Sequence, residues 1–191
     1  MADTLLLFEL EPVITLGRSA RREHLRLSQD EIVARGIALR EAGRGGDVTF
    51  HGPGQLVGYP VMALTGARRD AHLFLRDIEE TLIRTCGDFD VDAFRRPGLT
   101  GVWAERGKLG AIGVRFSSRW VTSHGFALNV SADLRGFELI VPCGLHGERV
   151  CSLERLLGRS LSLTEVAAVA AGRLAEVFGL RLAGLPSALL S

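Results

Sequence analysis

The chain has 191 residues, of which 47% are apolar and 24% charged, and its formal net charge is +1. These values are typical of a globular protein that buries a sizeable core, and they argue against nucleic acid or an anionic membrane as a partner. No apolar run approaches the roughly 20 residues of a membrane-spanning helix. The acidic first residues lack the basic start and the cleavage site of a signal peptide, so we expect a cytoplasmic protein.

The cysteine and lysine counts limit the kinds of functional site that the chain can contain. The three cysteines, none of them in a CxxC pair, argue against a disulfide framework and against a bound metal. Of the 23 basic side chains, 22 are arginine and one, Lys108, is lysine. A buried amine can lose its proton near neutral pH whereas a guanidinium cannot, so a single lysine suggests a position that requires proton exchange. The alternative is that one lysine remains by chance.

The first half of the chain predicts a strand followed by two capped helices. Thr4–Leu10 is mostly apolar and favours a strand. Ser28 and Glu31 form a capping box that begins a short helix running to about residue 35. Asp70 caps a longer helix that runs to about residue 86, because apolar residues recur there at helical spacing.

Short strand-like segments fill most of the rest, and a last helix follows them. A second capping box, at Ser162 and Glu165, begins an amphipathic helix that ends near residue 179. Short strands with few helices predict an α+β fold, in which helices cover one face of a mixed, largely antiparallel sheet. The predicted strands are Leu56–Val61, Thr100–Glu105, Lys108–Phe116, Trp120–His124 and Phe126–Val130, the second and third joined as a hairpin across Arg106-Gly107.

A glycine-rich segment, Gly43–Gln55, has the sequence GRGGDVTFHGPGQ, in which five of thirteen residues are glycine. Glycine lets a ligand approach the backbone closely, and such loops can direct N–H groups at an anion or an oxyanion. Arg44 adds a fixed charge and His51 a titratable ring. Neither GxxxxGK[ST] nor GxGxxG is present, so the segment predicts a ligand-facing loop of another kind. The alternative is a pair of tight turns.

Lys108 itself lies in a second unusual segment, GKLGAIGV at Gly107–Val114. The small residues Gly110, Ala111 and Gly113 remove packing volume from a predicted strand, which is typical of a bulge or of close approach by a ligand. An acyl chain or a cofactor tail requires such a slot. The alternative is a twisted strand that packs against a helix.

Each of the three thiols is a candidate nucleophile. Cys86 follows apolar residues at the end of a predicted helix, which favours a core position. Cys143 lies between Pro142 and Gly144 in a turn, where a reactive group is well exposed to substrate. Cys151 lies at the predicted start of a helix, which lowers a thiol pKa, so it remains the second candidate.

A thiol is mostly protonated at neutral pH and requires a neighbouring cation or base. Lys108 and the five histidines are the available groups. His51 and His124 lie in glycine-containing polar segments, and His146 follows Cys143 by three positions. A histidine in such a setting more often has a structural role than a catalytic one.

Taken together, these segments resemble the octanoyl (lipoyl) transferases of lipoate biosynthesis. The resemblance extends over roughly residues 4 to 160 and is specific in the order and spacing of its motifs. The matching stretches are TLGR at Thr15–Arg18, RGGDVTFHGPGQLVGYP at Arg44–Pro60, GKLGAIGVR at Gly107–Arg115, WVTSHGFALNV at Trp120–Val130 and VPCGL at Val141–Leu145.

The resemblance implies the fold of the biotin and lipoate protein ligases, with residues 1–191 as a single acyltransferase domain. Cys143 would take octanoyl from octanoyl-acyl-carrier protein as a thioester. Lys108 would lower the pKa of that thiol and accept the proton of the attacking amine, and no cofactor or metal would be needed. The acyl site would be lined by Arg44, Gly45, Gly46, Asp47, Val48, Thr49, Phe50, His51, Ala111, Ile112, Gly113, Gly125, Phe126 and Ala127, with His124 as an auxiliary residue.

The resemblance also implies the partners. The acceptors would be lysines in the lipoyl domains of 2-oxoacid dehydrogenases and in the glycine cleavage H protein. The donor carrier is acidic in general, so exposed arginines are candidates for docking it. These arginines are Arg18, Arg21, Arg22, Arg115, Arg119 and Arg149.

This chain departs from the usual family pattern in three places. The family usually has a further strand and helix before the strand at Thr4, a tyrosine where this chain has Phe50, and often a histidine at Leu10.

Two alternative functions are also considered. The first is an ATP-dependent lipoate- or biotin-protein ligase, which would not need a nucleophilic cysteine. The second is an acyl-binding protein without catalytic activity.

Overall fold

A computed structural model describes residues 3–144 and 147–183. Within these residues the strands and α-helices are, in chain order, β1 (Thr4–Phe8), β2 (Val13–Leu16), α1 (Gln29–Ala34), β3 (Ala38–Glu41), β4 (Val48–His51), β5 (Gln55–Val61), α2 (Ala71–Gly87), β6 (Val102–Ala104), β7 (Gly107–Phe116), β8 (Thr122–Asn129), α3 (Leu153–Leu157) and α4 (Leu163–Phe178). Short 3-10 turns lie at Arg22–His24, Gly66–Arg68, Leu134–Leu139 and Pro142–Gly144.

The strands form a large sheet and a small one. The large sheet is antiparallel, with the order β1-β5-β8-β7-β6. The small sheet has the order β3-β2-β4, in which β2 is parallel to β3 and antiparallel to β4. The predicted α+β fold with a largely antiparallel sheet is therefore confirmed. The small sheet was not predicted, because its four-residue strands are too short to show an alternating pattern.

The helices begin where their capping residues indicated. Ser28 and Glu31 form a complete capping box, and the Asp70 carboxylate accepts the N–H groups of the first turn of α2. Ser162 accepts the Glu165 N–H at the start of α4. Helix α2 packs on the large sheet and α4 packs on α2, so both cover one face. No helix in the described part of the chain has the length and apolar character needed to cross a membrane.

Each sheet has its own hydrophobic core. Ile78 and Leu82 of α2 and Leu128 of β8 are fully buried between the large sheet and its helices. Ile14 and Ile32 are fully buried beneath the small sheet. Burial of each such side chain stabilises the fold by about 1.5–3 kcal/mol, so the two cores hold both sheets rigid around the space between them.

Three predictions about the strands were wrong in detail. The turn between β6 and β7 consists of residues 105 and 106, because Ala104 already pairs with Gly107. The two predicted strands that meet at His124 are a single strand, β8, which pairs with β7 without interruption. His124 keeps its place in the ladder with a φ of +61°, in a region that histidine adopts more readily than most side chains. The first strand ends at Phe8, two residues before its predicted end.

Glycine at position 125 is required by the close approach of β5 to β8. An added Cβ at Gly125 would lie 2.1 Å from the Gly58 carbonyl oxygen and 2.6 Å from Pro60 Cδ. Because the carbonyl belongs to the backbone of a central strand, Gly125→Ala is expected to lower the free energy of unfolding by about 3 kcal/mol. Urea denaturation at neutral pH measures the change.

Gly172→Ala is the matched control for this substitution. Gly172 lies within α4, and an added Cβ there meets no atom within 4 Å. Alanine should therefore raise the free energy of unfolding by roughly 0.5–1 kcal/mol. A Gly125→Ala variant as stable as the wild type would contradict the close contact between β5 and β8.

Candidate active site

A pocket lies where the small sheet faces the middle of β7 and β8. It encloses about 460 Å³ of empty space, part of which is open to solvent. Twelve of the fourteen residues predicted to bind substrate line it, together with His124. These twelve are Arg44, Gly46, Asp47, Val48, Thr49, His51, Ala111, Ile112, Gly113, Gly125, Phe126 and Ala127.

The other two predicted residues lie beside this pocket. Gly45 donates its N–H to the Val114 carbonyl at 2.9 Å and so joins the glycine-rich segment to β7. Phe50 lines an adjoining cavity and packs edge-on against Phe137, with ring centroids 5.6 Å apart. Gly43–Gln55 is therefore not one loop: its first half contacts β7, its second half contains β4, and Gln55 begins β5 of the large sheet.

The small residues on β7 serve two purposes. Ala111 lines the pocket and the adjoining cavity, as expected for a slot that receives a chain. Gly113 faces the glycine-rich segment, because an added Cβ would lie 2.9 Å from the Gly45 carbonyl oxygen. Gly110 instead faces Leu82 of α2, with 3.2 Å from an added Cβ to Leu82 Cδ1. The helix-packing alternative is thus right for Gly110, whereas Ala111 lies at the pocket, where a slot for a ligand stays a prediction.

Lys108 lines two spaces, the adjoining cavity and a more open cleft. It lines the adjoining cavity with Pro142, and it lines a more open cleft with Gly144 and Ile112. Its side chain is 6% exposed. Lys108 therefore lies between the open cleft and the adjoining cavity.

The Lys108 ammonium group contacts a carbonyl oxygen and the face of an aromatic ring. Nζ donates to the Thr100 carbonyl at 3.3 Å and lies over the Trp103 ring, 4.9 Å from its centroid. Thr100 is placed in turn by buried Glu79, whose carboxylate accepts the N–H of Gly101 at 3.0 Å. A carbonyl oxygen and a ring face both favour a positive charge, so the site is built for a cation here.

The backbone of Cys143 lies in the 3-10 turn Pro142–Gly144, as the sequence indicated. The turn is held on its N-terminal side, where Gly144 donates to the Val141 carbonyl at 3.1 Å. On its C-terminal side, Lys108 exchanges backbone hydrogen bonds with Arg149 and Cys151, at 2.8 and 2.9 Å. The side chain of Cys143 and all of His146 lie outside the described part of the structure.

The other two thiols are poor nucleophiles. Burial raises the pKa of Cys86 to about 12, and this residue lies in the core as predicted. Burial also raises the pKa of Cys151 to about 11, although the nearby Arg106 lowers it in part. The Cys151 thiol donates to the Gly107 carbonyl at 3.3 Å. The predicted activation of Cys151 by a helix N-terminus is therefore wrong, because α3 is short and desolvation outweighs it.

A buried polar network supports the floor of the site. His51 Nδ1 lies 3.0 Å from Gln55 Oε1, and Gln55 Nε2 donates to Asn129 Oδ1 at 3.0 Å. Asn129 donates in turn to the Cys151 carbonyl at 3.0 Å. Because Gln55 Oε1 can only accept, His51 carries its hydrogen on Nδ1. Burial lowers the pKa of His51 to about 4, so the ring is neutral and has a structural role in this network.

Arg44 and His124 set the charge of the pocket. Arg44 is buried and donates to the Thr15 carbonyl and hydroxyl oxygens, each at 2.7 Å. Burial, followed by the charges of Arg44 and Arg115, lowers the pKa of His124. The His124 ring is therefore neutral near pH 7, which does not favour it as a proton donor.

Three residues at the site were missed from the sequence. Val57 and Tyr59 of β5 line the pocket, and the Tyr59 ring lies 5.4 Å from the His124 ring. His24 lines the open cleft and bonds to Asp47. The alternating pattern of β5 could have indicated Val57 and Tyr59, but no local signal marks His24.

Comparison with known proteins places this geometry in a family. A model of the lipoyl protein ligase A/B catalytic domain matches residues 1–175. The octanoyltransferase of Koribacter versatilis is 53% identical over 169 residues, which cover 86% of this chain and 67% of that protein. The octanoyltransferase of Rubrobacter xylanophilus is 48% identical over 178 residues, which cover 93% and 80%.

Solved structures show the same fold. A bipartite lipoate protein ligase from Thermoplasma acidophilum has a TM-score of 0.78 at 18% identity, over 93% of this chain and 72% of that chain. Biotin protein ligase from Aquifex aeolicus has a TM-score of 0.53 at 16% identity, over 87% and 70%. Sequence identities this low show only that the folds are alike. The structural similarity confirms the predicted ligase-like fold.

The low pKa of His51 makes stability depend on pH. His51 in the unfolded chain takes up a proton near pH 6.5, whereas folded His51 does so only near pH 4. Between these values the unfolded state binds more protons, so the free energy of unfolding falls as pH decreases, by about 3 kcal/mol in total. At pH 7 and above both states are neutral, and this dependence disappears.

His51→Asn isolates this contribution, since its amide can donate to Gln55 but does not titrate. Urea denaturation between pH 4 and 7 should show a smaller loss of stability in the variant than in the wild type. His72→Asn, at an exposed position of α2, should retain the wild-type dependence. Parallel curves for His51→Asn and wild type would contradict a neutral, buried His51.

Proposed function

Because the chain belongs to the octanoyltransferase family, we propose that it moves an octanoyl group from octanoyl-acyl-carrier protein to a lysine of a lipoyl domain. Cys143 carries the acyl group as a thioester between the two steps. Lys108 stabilises the Cys143 thiolate and so makes the thiol reactive at neutral pH.

One observation carries the assignment of this pair. Both neighbours of Cys143 in the chain line spaces that Lys108 also lines: Pro142 the adjoining cavity, and Gly144 the open cleft. The segment after the turn is hydrogen-bonded to the Lys108 backbone. These contacts support placing the Cys143 side chain within reach of the Lys108 ammonium group, although the two residues are 35 positions apart in sequence.

The pocket between the sheets suits the acyl chain. Its walls include the apolar side chains of Val57, Ile112, Phe126 and Ala127. It adjoins the cavity beside Lys108, since Ala111 and Ala127 line both. An acyl group on Cys143 would therefore extend from the turn, past Ala111, into the pocket.

The reaction then has two balanced steps. In the first, the Cys143 thiolate attacks the donor thioester, a new C–S bond forms, and the carrier thiolate leaves and takes up a proton. In the second, the acceptor amine attacks the acyl-enzyme, a C–N bond forms, the C–S bond to Cys143 breaks, and the amine nitrogen loses a proton. The donor thioester is already activated, so neither step requires ATP.

The partners follow from the family and from the open cleft. The Thermoplasma acidophilum ligase of the same fold is described with an E2 lipoyl domain, which supports lipoyl domains as acceptors here. Arg21 is exposed and lines the cleft that leads to Lys108. Among the arginines suggested for docking an acidic carrier, we therefore favour Arg21, because it lines the cleft by which we expect the donor thioester to enter.

Cys143→Ala tests the thioester. Wild-type protein incubated with octanoyl-acyl-carrier protein alone should gain the mass of one octanoyl group, and Cys143→Ala should gain none. Cys151→Ala is the matched control and should acquire the adduct, because its thiol is buried with a raised pKa. Intact-mass spectrometry measures the adduct on each of the three proteins. An adduct that survives in Cys143→Ala would refute the assignment.

Transfer assays with the same proteins distinguish octanoyl transfer from ATP-dependent ligation. Transfer to a lipoyl domain should proceed with the octanoyl donor and no ATP. A Cys143→Ser variant that ligates free octanoate when ATP is added would instead favour the ligase alternative. Octanoate that binds tightly without any adduct would favour an acyl-binding protein.

Lys108→Arg tests the lysine while keeping its charge. A guanidinium cannot exchange a proton near neutral pH, and Gly101 leaves little room, since an added Cβ there would lie 2.9 Å from Lys108 Cε. Octanoyl transfer should fall by about 100-fold or more in steady-state kinetics. Arg159→Lys, which exchanges the same residue types at an exposed position with no proposed role, should keep wild-type activity. Full activity of Lys108→Arg would exclude a specific role for the amine.

A further inference from the structure

An ion pair that the proposed chemistry has not used lies beside the Cys143 turn. Arg96 Nη1 donates to Glu148 Oε2 at 2.7 Å, and the two side chains are 36% and 15% exposed. Arg96 lies in the segment between α2 and β6, whereas Glu148 lies in residues 147–151, which follow the turn. The pair therefore joins two segments that are distant in sequence, and one of them leads out of the turn.

The ion pair lies against the Trp103 ring, as Lys108 does. The Arg96 guanidinium carbon is 5.6 Å from the centroid of this ring, and Lys108 Nζ is 4.9 Å from it. In the backbone, Phe94 pairs with Trp103, Trp103 with Lys108, and Lys108 with Val150. Four neighbouring segments thus form one row, and the ion pair joins the first segment of that row to the last.

Lys108 is hydrogen-bonded to both of the segments that the ion pair joins. Its Nζ donates to the carbonyl of Thr100, in the segment of Arg96, at 3.3 Å. Its backbone N–H donates to the carbonyl of Arg149, the residue after Glu148, at 2.8 Å. These two bonds and the ion pair close a ring of contacts around the lysine. The ion pair therefore resists movement of either segment away from Lys108.

We propose that Arg96 and Glu148 are positioning residues, which hold residues 147–151 in place and thereby keep the Cys143 thiol within reach of Lys108. The inference rests on the proposed function. On the other side of the turn, the Val141 N–H already makes a backbone bond of 2.7 Å. A charge-assisted bond with one largely buried partner is well suited to this task, because it is stronger than a neutral bond and is screened less than an exposed one.

A positioning role and a purely electrostatic role predict opposite effects for Glu148. If its carboxylate acted only as a charge, its removal would leave a more positive site and would lower the pH at which the Cys143 thiol ionises. If the ion pair positions the segment, the same removal lets the thiol move away from the Lys108 ammonium group. The thiol then ionises at a higher pH.

Glu148→Ala tests which of these effects dominates. The rate of alkylation of Cys143 by iodoacetamide, followed over a range of pH and assigned by peptide mass mapping, measures thiol ionisation. We expect the midpoint of this profile to rise by about one pH unit, the lower end of the effect of a close opposite charge. Below both midpoints, adduct formation with the octanoyl donor should fall by about tenfold, because the thiolate fraction falls tenfold per unit.

Arg96→Ala and the double variant complete the cycle. Arg96→Ala removes the same contact from the other side, so it should also raise the midpoint. The double variant should shift upward by an amount between those of the single variants and well below their sum, because both residues act through one contact. A downward shift or no shift in Glu148→Ala would overturn the proposal, and so would additive upward shifts in the double variant.

Asp88→Ala is the matched control, because it breaks an ion pair elsewhere. Asp88 lies 2.5 Å from Arg173 and joins the end of α2 to α4. This variant should keep the wild-type midpoint, which excludes loss of an ion pair in general as the cause. The other charged groups and the histidine that line the cleft stay the same in every variant, so they cannot account for a difference. These are Arg21, Glu23, His24 and Asp47.

Glu148→Gln replaces Glu148→Ala if the alanine variant fails to fold. The amide keeps the size of the side chain but loses its charge, so the midpoint should still rise, and a midpoint that falls or stays the same would overturn the proposal. The alkylation profiles need no acyl donor. A wild-type protein that forms no octanoyl adduct would refute the thioester function itself, whereas a normal adduct with unshifted profiles would refute the role of the ion pair alone.

Discussion

The contact on which the site depends is a hydrogen bond between the two sheets, from the Gly45 N–H to the Val114 carbonyl at 2.9 Å. It can form because Gly113 has no side chain to keep the glycine-rich segment away from β7, as an added Cβ would lie 2.9 Å from the Gly45 carbonyl oxygen. Each sheet has a rigid core of its own. This backbone contact therefore sets the distance between two rigid layers, and the pocket is the space that remains between them.

Backbone hydrogen bonds also position the turn that contains Cys143. Residues 141 to 151 are held at one end by the pairing of Val141 with His24 and at the other by the pairing of Lys108 with the segment through Cys151. Asn129 adds a side-chain hydrogen bond to the Cys151 carbonyl. Backbone pairings of this kind position a loop without side-chain bulk, so they leave the cleft beside Lys108 open for a donor and an acceptor. Fixing the turn in advance lowers the entropy that each step must supply.

Much of the fold and of the candidate site could be predicted from the sequence, because the signals for them come from residues that are neighbours in the chain. Capping residues such as Asp70 mark helix starts because their bonds are made within one turn. Lys108 stood out by composition. His24 could not be found in this way, because its position at the cleft depends on Asp47, 23 positions away, and on the pairing of its backbone with Val141. Likewise, the burial that disqualifies the Cys151 thiol arises from tertiary packing that a local helix signal does not report.

The central claim is that one continuous space connects the Cys143 turn, Lys108 and the pocket between the sheets. A crystal structure of the octanoylated protein tests it most directly. We expect the acyl chain on the Cys143 sulfur to run past Ala111 and Ala127 into the pocket, with Lys108 Nζ within hydrogen-bond distance of the thioester. An acyl chain attached at another residue, or a Cys143 adduct that points away from the pocket with Lys108 out of reach, would contradict the account.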